Sequence, residues 1–376
     1  MRVRELVALD LASSAAIAEN VRHEWDAANA VLVVDQRLPD TARRELIRGL
    51  GVHSVVDATG RTLIDRAAEP MNDGDAVVIA TSGTSGSPKG VIHTHAGLRS
   101  ASLASSAALR TGAEAHWLAC LPLAHIGGFG VLTRAWHTGA QLTIHDGFDP
   151  DAVTTSDATH VSLVATAMAR IDTTMFRHIL LGGARPPATV ADNVTVTYGL
   201  TESCGGVVYN RRPIPGVSVD IAPDGEVLLR GPMIMSRYRN PGLKSPVDSD
   251  GWLHTNDIGR FDDGLLHVDG RRGDMIITGG ENVWPDSVER VLSRHPLIAE
   301  CAVAGVDDPE WGQRVVAWVV KHGDVIPVLE DLRDFVTESL PRFCAPRQLV
   351  VVDSLPRTSL GKVLRRALVD DLTSPQ

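Results

Sequence analysis

Short apolar runs bounded by turn residues recur through the first half of the chain. The runs at residues 30–34, 52–56 and 76–80 each adjoin Gly, Asn or Asp, which is typical of buried strands. An amphipathic stretch at residues 40–50 predicts a helix between the first two of them. Strand, helix and strand in this order predict parallel strands joined by a right-handed crossover.

Further apolar runs lie at residues 117–123, 160–164, 178–181 and 194–197, and each leads into a turn of small or polar residues. In open parallel sheets, ligands bind outside the carboxyl ends of the strands. The pattern therefore predicts the α/β class, with parallel αβ subdomains and a ligand site built from these turns.

The chain changes character after Pro213, where Asp-Gly and Pro-Gly pairs separate short strands. These pairs are typical of β-hairpins and predict a small β-rich subdomain over about 213–270. Beyond it, predicted helices and strands alternate over a length that suits a mobile α+β domain. We therefore predict a large N-terminal domain at residues 1–272 and a C-terminal domain at residues 273–376.

The composition of the chain excludes several classes of partner and of metal or disulfide site. The 376 residues carry a formal charge of -10, which argues against nucleic acid or an anionic membrane as a partner. The four cysteines lie far apart in sequence, so neither a zinc site nor a disulfide framework is expected. The N-terminus lacks the apolar run of a signal peptide, and no later run is long enough to span a bilayer. We expect a cytoplasmic protein.

The loop at residues 81–90 follows the apolar strand at 76–80 and is the strongest candidate site. Its glycines let backbone N–H groups approach a phosphate, its hydroxyls add donors, and Lys89 adds a positive charge. The common P-loop pattern needs glycine directly before lysine, but Pro88 stands there. A polar surface loop is the alternative interpretation.

Two glycine-rich turns suit close contact with a ligand. His125 is followed by Gly127 and Gly128, which is typical of a pocket wall or of a glycine-rich helix start. Gly182 and Gly183 follow an apolar strand and would let a flat ring lie against the backbone.

Three charged residues are further candidates. Glu202 lies in a loop that also carries Tyr198 and Thr201, so it is either a Mg²⁺ ligand beside a phosphate or a solvated acid. Arg134 interrupts an apolar run, and its charge needs a carboxylate partner from the protein or a ligand. Lys362 lies in a turn before a basic helix, where a lysine is usually solvated surface.

Five stretches together resemble the adenylate-forming superfamily of acyl-CoA synthetases, adenylation domains and luciferases, in the family's order and over nearly the whole chain. They are the loop at 81–90, Tyr-Gly-Leu-Thr-Glu at 198–202, Gly-Trp-Leu-His-Thr-Asn-Asp at 251–257, the Gly-Arg hinge at 270–271 with Gly-Gly-Glu-Asn at 279–282, and the Gly-Lys turn at 361–362.

The resemblance implies a two-step reaction that uses ATP, Mg²⁺ and CoA. A carboxylate attacks the α-phosphate to give an acyl-adenylate and pyrophosphate, and a thiol then displaces AMP. No side-chain nucleophile is needed, because positioning and charge stabilisation supply the catalysis. In the family the small domain rotates between the two steps.

The resemblance also implies roles for individual residues. Lys362 would stabilise charge during adenylation, Glu202 would hold Mg²⁺, and Thr201 would contact the α-phosphate. The remaining contacts with ATP or CoA would be the phosphate-loop residues Thr81, Ser82, Gly83, Thr84, Gly86 and Lys89, the adenine-framing residues Gly182, Gly183, Ala184, Tyr198 and Gly199, the ribose-binding residues Asp257 and Arg271, and the thiol-tunnel residues Gly279, Gly280 and Trp311.

Within the superfamily, the chain most resembles the o-succinylbenzoate–CoA ligases of menaquinone biosynthesis, in their compact actinobacterial form. A dicarboxylic substrate needs one carboxylate to react and the other to be held, which suits a buried arginine. The implied acid-binding residues are His125, Gly127, Gly128, Arg134, Ser162 and Gly205. The region before residue 81 is shorter than in typical members, so it could expose surface that a second protomer covers in a homo-oligomer.

Some residues depart from the family pattern, and other functions stay open. Ala124 replaces an aromatic residue, Asn256 replaces a glycine, and Gly273 lies at the hinge position. The alternatives are a CoA ligase for another aryl or acyl acid, an adenylation enzyme that loads a carrier protein, and a non-catalytic adenylate-binding protein. The segment at 311–314 resembles a CoA contact and disfavours the second, while retention of Lys89 and Lys362 disfavours the third.

Overall fold

The computed structural model describes residues 3–81, 88–183, 186–187, 189–357 and 363–373. The chain forms two units, one of Met1–Asp220 with Leu228–Thr255, and one of Ile221–Val227 with Asn256–Gln376.

The first unit begins with a seven-stranded sheet that includes the early apolar runs. Its strands before residue 95 are β1 (Leu6–Leu9), β2 (Ala30–Val33), β3 (Ser54–Asp57), β4 (Gly60–Leu63), β5 (Asp75–Thr81) and β6 (Lys89–Thr94), with helices α1 (Ser14–Asp26) and α2 (Asp40–Gly49) between them. β2 pairs in parallel with β1 and β5, which confirms the predicted parallel arrangement. β6 returns antiparallel to β5, so Thr81 and Lys89 lie opposite each other at the base of the loop.

A second seven-stranded sheet follows. Its elements are α3 (His95–Leu109), β7 (His116–Ala119), α4 (Ile126–Thr138), β8 (Gln141–Ile144), α5 (Pro150–Thr154), β9 (His160–Leu163), α6 (Ala165–Met168), β10 (His178–Leu181), β11 (Val194–Leu200), β12 (Gly205–Tyr209) and β13 (Arg212–Pro213). Strands β7 to β11 are parallel, and β12 and β13 continue the sheet antiparallel. β7 ends at Ala119, earlier than the predicted run to residue 123.

The two faces of the second sheet differ in polarity, because side chains alternate along each strand. One face packs an apolar core that includes Leu118, Val161, Leu163 and Ile179. The alternate positions place Trp117, His160 and Ser162 on the other face. A parallel sheet with one polar face can hold a polar ligand without unpaired groups in its core.

The hairpin-rich stretch forms β14 (Ser218–Ile221), β15 (Glu226–Arg230), β16 (Arg237–Tyr238), β17 (Leu253–Asp262) and β18 (Leu265–Arg271). β16 joins the first sheet at its edge, antiparallel to β6. The other four strands make a separate sheet, as the predicted β-rich subdomain requires, and the boundary between the two units runs through it.

The remainder of the second unit has helices on both faces of one sheet. Its elements are β19 (Ile276–Thr278), β20 (Glu281–Val283), α7 (Pro285–Leu292), β21 (Ile298–Asp308), β22 (Gly312–Lys321), α8 (Leu329–Thr337), β23 (Gln348–Val351) and α9 (Arg365–Thr373). Val315, Ala317 and Val319 of β22 pack with α7 and α8. The alternate residues Val316 and Trp318 pack with α9.

The structure confirms the predicted α/β class with a large N-terminal part and a smaller C-terminal part. The domain boundary between residues 272 and 273 stays a prediction. Across the described ranges, no helix combines the length and apolar character needed to cross a membrane.

Candidate active site

The base of the predicted phosphate loop is held by a later segment of the chain. The amide of Gly90 donates to Asn240 Oδ1 over 2.8 Å, and Asn240 Nδ2 donates to the Pro88 carbonyl over 3.0 Å. Arg237 donates two hydrogen bonds to the buried carboxylate of Asp75, where β5 begins. The loop residues Ser82, Gly83, Thr84 and Gly86 lie outside the described residues.

The loop with Thr201 and Glu202 follows β11 as a single 3-10 turn, Thr201–Ser203. The buried Ser203 hydroxyl donates to the Gly205 carbonyl over 2.8 Å and accepts from the Leu200 amide. Glu202 Oε1 accepts a hydrogen bond from the Tyr238 hydroxyl over 2.9 Å. The Glu202 side chain is therefore oriented by a residue that the sequence analysis did not identify.

His93 connects β6 to this turn. Its Nε2 lies 2.8 Å from the Thr201 carbonyl oxygen, so Nε2 carries the proton and donates it. Burial lowers the pKa of His93 to about 4. The pKa of His160, on the polar face of the second sheet, is also lowered to about 4, first by burial and then by the nearby His178.

We expect the free energy of unfolding to fall as the pH is lowered from about 6.5 towards 4. The two histidines stay neutral in the folded chain, whereas unfolded histidines bind protons below about 6.5. The unfolded state therefore binds more protons in this pH window. Near pH 4, each histidine lowers the free energy of unfolding by up to roughly 3 kcal/mol.

Urea unfolding at pH 7.5 and 5 tests this prediction, and the free energy of unfolding of His160→Phe should depend less on pH than that of the parent. Replacement of the exposed His322 by Gln should leave the dependence unchanged, and an unchanged slope in His160→Phe would contradict the prediction.

The glycines of the predicted adenine site lie where the backbone packs closely. A Cβ atom on Gly199 would lie 1.9 Å from the Gly205 carbonyl oxygen, and one on Gly182 would lie 2.7 Å from Thr197 Oγ1. Gly183 has a φ of +81°, in the left-handed region. Tyr198 and Gly199 flank a register shift in the pairing of β11 with β12. Ala184 lies outside the described residues.

His125 precedes the first turn of α4 and contacts a charged pair from the loop after β2. Its Nε2 lies 3.1 Å from Asp35 Oδ2 and 2.9 Å from Arg37 Nη2. Burial alone would raise the pKa of Asp35, but hydrogen bonds from Arg37 and His125 hold it well below its usual range. Asp35 therefore stays ionised beside the imidazole and helps to fix its orientation.

The two glycines after His125 differ in what they pack against. A Cβ atom on Gly128 would lie 2.4 Å from the Pro122 carbonyl oxygen, which explains why a side chain does not fit there. At Gly127 the nearest atom, Leu121 Cδ1, lies at an ordinary 3.6 Å. Only Gly128 is therefore required by packing against the backbone.

Arg134 points from α4 towards the polar face of the second sheet. Its Nε donates to Ser105 Oγ over 2.9 Å, and its guanidinium lies 4.6 Å from the ring centroid of Trp117. The Nη1 atom is buried and has no hydrogen-bond partner among the described residues. Burial lowers the pKa of Arg134. A guanidinium whose buried nitrogen has no partner in the described ranges is suited to binding an anionic ligand.

The site residues in the second unit form two groups. Asp257 and Arg271 are paired across β17 and β18, and Arg271 Nε lies 3.3 Å from Asp257 Oδ1. Gly279 donates its amide to the Trp311 carbonyl over 2.8 Å, and a Cβ atom there would lie 3.0 Å from the Trp311 ring. Gly280 follows with a φ of +85°. Lys362 lies outside the described residues.

The residue chemistry fits a Mg²⁺ ion that arrives with the triphosphate. Within the described ranges, no group of three or more His, Cys, Asp or Glu side chains could hold a metal ion. Glu202 is partly exposed, and the Tyr238 hydrogen bond engages only one of its oxygens. Mg²⁺ commonly binds one or two carboxylates together with substrate phosphates and water.

Comparison with protein families gives two matches. Residues 6–239 match the AMP-binding enzyme family, and residues 287–362 match the AMP-binding enzyme C-terminal domain. The first match alone spans more than half of the chain.

Two individual proteins, one of them solved with two different sets of ligands, show the same relationship. A probable 2-succinylbenzoate–CoA ligase from Mycobacterium tuberculosis is 39% identical over 332 residues, which cover 81% of this chain and 86% of that protein. The o-succinylbenzoate CoA synthetase of Bacillus subtilis, solved with its acyl-adenylate intermediate, superposes with a TM-score of 0.85 at 27% identity, covering 100% of this chain and 89% of that one. The same enzyme solved with ATP and magnesium gives a TM-score of 0.84 at 28% identity, covering 98% and 90%.

Proposed function

Because this chain belongs to the AMP-binding enzyme family, we propose that it is an ATP-dependent ligase that joins o-succinylbenzoate to CoA. The similarity to the mycobacterial 2-succinylbenzoate–CoA ligase, which extends over 86% of that protein, carries the proposal. Arg134 supports the choice of acid, because its buried Nη1 has no hydrogen-bond partner among the described residues and a dicarboxylate can place its unreactive carboxylate there.

The reaction has two steps. In the first, a carboxylate oxygen of the acid attacks the α-phosphate of ATP and pyrophosphate leaves with the bonding electrons. In the second, the CoA thiol loses its proton and attacks the acyl carbon, and AMP leaves. Bound Mg²⁺ would neutralise phosphate charge, with Glu202 as its protein ligand. The protein mainly aligns the reacting atoms and stabilises the charge that develops.

We assign the remaining roles as follows. Lys89 and Thr81 contact phosphates at the base of the loop, Thr201 contacts the α-phosphate, and Lys362 stabilises charge in the first step. His125, Gly127, Gly128, Arg134, Ser162 and Gly205 contact the acid; Gly182, Gly183, Tyr198 and Gly199 frame adenine; Asp257 and Arg271 bind ribose; and Gly279, Gly280 and Trp311 contact CoA.

Pyrophosphate release by the purified protein tests this function directly. The assay uses ATP and Mg²⁺ with o-succinylbenzoate, benzoate or medium-chain fatty acids, each with and without CoA. We expect release that depends on o-succinylbenzoate and a CoA thioester when CoA is present. Strong activity on another acid would support the reaction but contradict o-succinylbenzoate as the substrate. Acyl transfer only to a carrier protein would contradict CoA as the acceptor. No release with any acid would contradict the proposal.

We also propose a cytoplasmic location, where ATP and CoA are available, and a homo-oligomeric state. Light scattering coupled to gel filtration should then give a mass above the 40.2 kDa of one chain. A mass that matches one chain at all concentrations would contradict it.

A further inference from the structure

A short segment at residues 235–240 contacts both of the loops that are predicted to hold the triphosphate. Its backbone runs antiparallel to β6, with Tyr238 opposite Val91. The Met235 amide donates to the Glu202 carbonyl over 2.8 Å, and the Arg239 amide donates to the Gly90 carbonyl over 2.7 Å. The segment therefore lies between the Glu202 turn and the end of the phosphate loop.

The side chain of Tyr238 contacts a residue of each loop. Its hydroxyl donates to Glu202 Oε1 over 2.9 Å, and its ring centroid lies 5.5 Å from Lys89 Nζ. The first is a hydrogen bond to an ionised oxygen, which is stronger than a neutral one. The second lies within the range of cation–π attraction. One aromatic side chain thus contacts both the predicted Mg²⁺ ligand and the predicted phosphate-binding lysine.

The residues on either side of Tyr238 hold it firmly in place. Asn240 bonds to the backbone on both sides of Lys89, and Arg237 is paired with Asp75. The guanidinium of Arg239, a residue only 5% exposed, donates to the carbonyls of Leu50, Gly51 and Glu69. A side chain fixed from both neighbours can define the positions of the groups it contacts.

We propose that Tyr238 is a positioning residue that fixes the Glu202 carboxylate relative to Lys89, so that both act on the same triphosphate. The hydrogen bond orients one carboxylate oxygen, and the lone pairs that remain can bind a metal ion. The inference rests on the proposed function, because it takes Glu202 as the Mg²⁺ ligand. It adds the residue that couples metal binding to phosphate binding.

Two substitutions separate the two contacts. Tyr238→Phe removes the hydroxyl and keeps the ring, so the Mg²⁺ concentration for half-maximal pyrophosphate release should rise about tenfold, as for other partners of metal ligands. The KM for ATP at saturating Mg²⁺ should stay near the parent value. Tyr238→Leu removes the ring as well, so the KM for ATP should also rise. If Tyr238 were merely structural, both substitutions would lower kcat and thermal stability. They would not then differ in their effects on the Mg²⁺ requirement and on the KM for ATP.

Calorimetry gives a second readout that does not depend on turnover. ATP binding is measured over a Mg²⁺ series, and Tyr238→Phe should need about ten times more Mg²⁺ for the same gain in ATP affinity. Tyr209→Phe is the matched control, because it removes a hydroxyl that contacts Ser105, and it should keep the parent Mg²⁺ dependence.

The outcomes separate the inference from the proposed function. A parent protein that releases no pyrophosphate with any acid contradicts the function, and the calorimetric comparison then still tests Tyr238. A Tyr238→Phe variant that matches the parent in its Mg²⁺ dependence in both experiments overturns the inference.

Discussion

Replacement of Lys362 by alanine is expected to slow acyl-adenylate formation by about 10²- to 10³-fold, the usual cost of removing one group that stabilises transition-state charge. Transfer of the acyl group from preformed adenylate to CoA should stay close to the parent rate, because the proposed role of Lys362 belongs to the first step alone. Single-turnover assays of the two half-reactions measure this difference.

The described residues on either side of Lys362 are well anchored, so the substitution should not disturb the fold. Arg357 and Val363 form an antiparallel bridge, and the Leu364 amide donates to the Pro356 carbonyl over 2.8 Å. Arg365 is paired with Asp286 and Glu289 at 2.8 and 2.9 Å. These contacts hold the described residues before and after position 362 in place.

A matched control is available on the same helix-turn segment. Arg366 has an 86% exposed side chain and one weak pair with Asp370 at 4.0 Å. Arg366→Ala removes the same charge and should leave both half-reactions unchanged. Equal losses in the two half-reactions of Lys362→Ala would contradict a role confined to adenylation.

Seven of the fourteen strands of the two large sheets could be predicted, because each of these seven is a short apolar run with turn residues beside it. Such a signal is local, and it does not say which distant segment completes a sheet. β16 is only two residues long, and no pattern around Arg237 and Tyr238 indicates that they pair with β6. The support for Glu202 and Lys89 was missed for this reason.

The contacts of His125 were missed for the same physical reason. Asp35 and Arg37 follow β2 in the first sheet, whereas His125 immediately precedes helix α4, which packs on the second. These contacts depend on how the two sheets pack against each other, which the sequence does not reveal.

The glycines of the candidate site have a different explanation. At Gly128 and Gly199 a Cβ atom would clash with backbone, so the fold requires glycine there whether or not a ligand binds.

Replacement of Arg134 by methionine is expected to lower kcat/KM for o-succinylbenzoate by about 10²-fold or more, while activity on benzoate changes little. Loss of one partner from a buried charge pair costs about 2–5 kcal/mol. Only a substrate with a second carboxylate forms that pair, so the loss should depend on the acid. Steady-state assays with both acids give the comparison, and equal losses would contradict the assigned role.

Stability provides an independent test of Arg134. Without substrate, its buried Nη1 has no partner among the described residues, and burial of an unpaired polar group is unfavourable. Arg134→Met should therefore leave the melting temperature unchanged or raise it, although it impairs the enzyme. Arg170→Met is the matched control, because it also removes a cation over an aromatic ring, that of Phe148, and should not alter the preference between acids. A lower melting temperature in Arg134→Met would show that the arginine is needed for folding, and a lower activity would then no longer indicate binding of the second carboxylate.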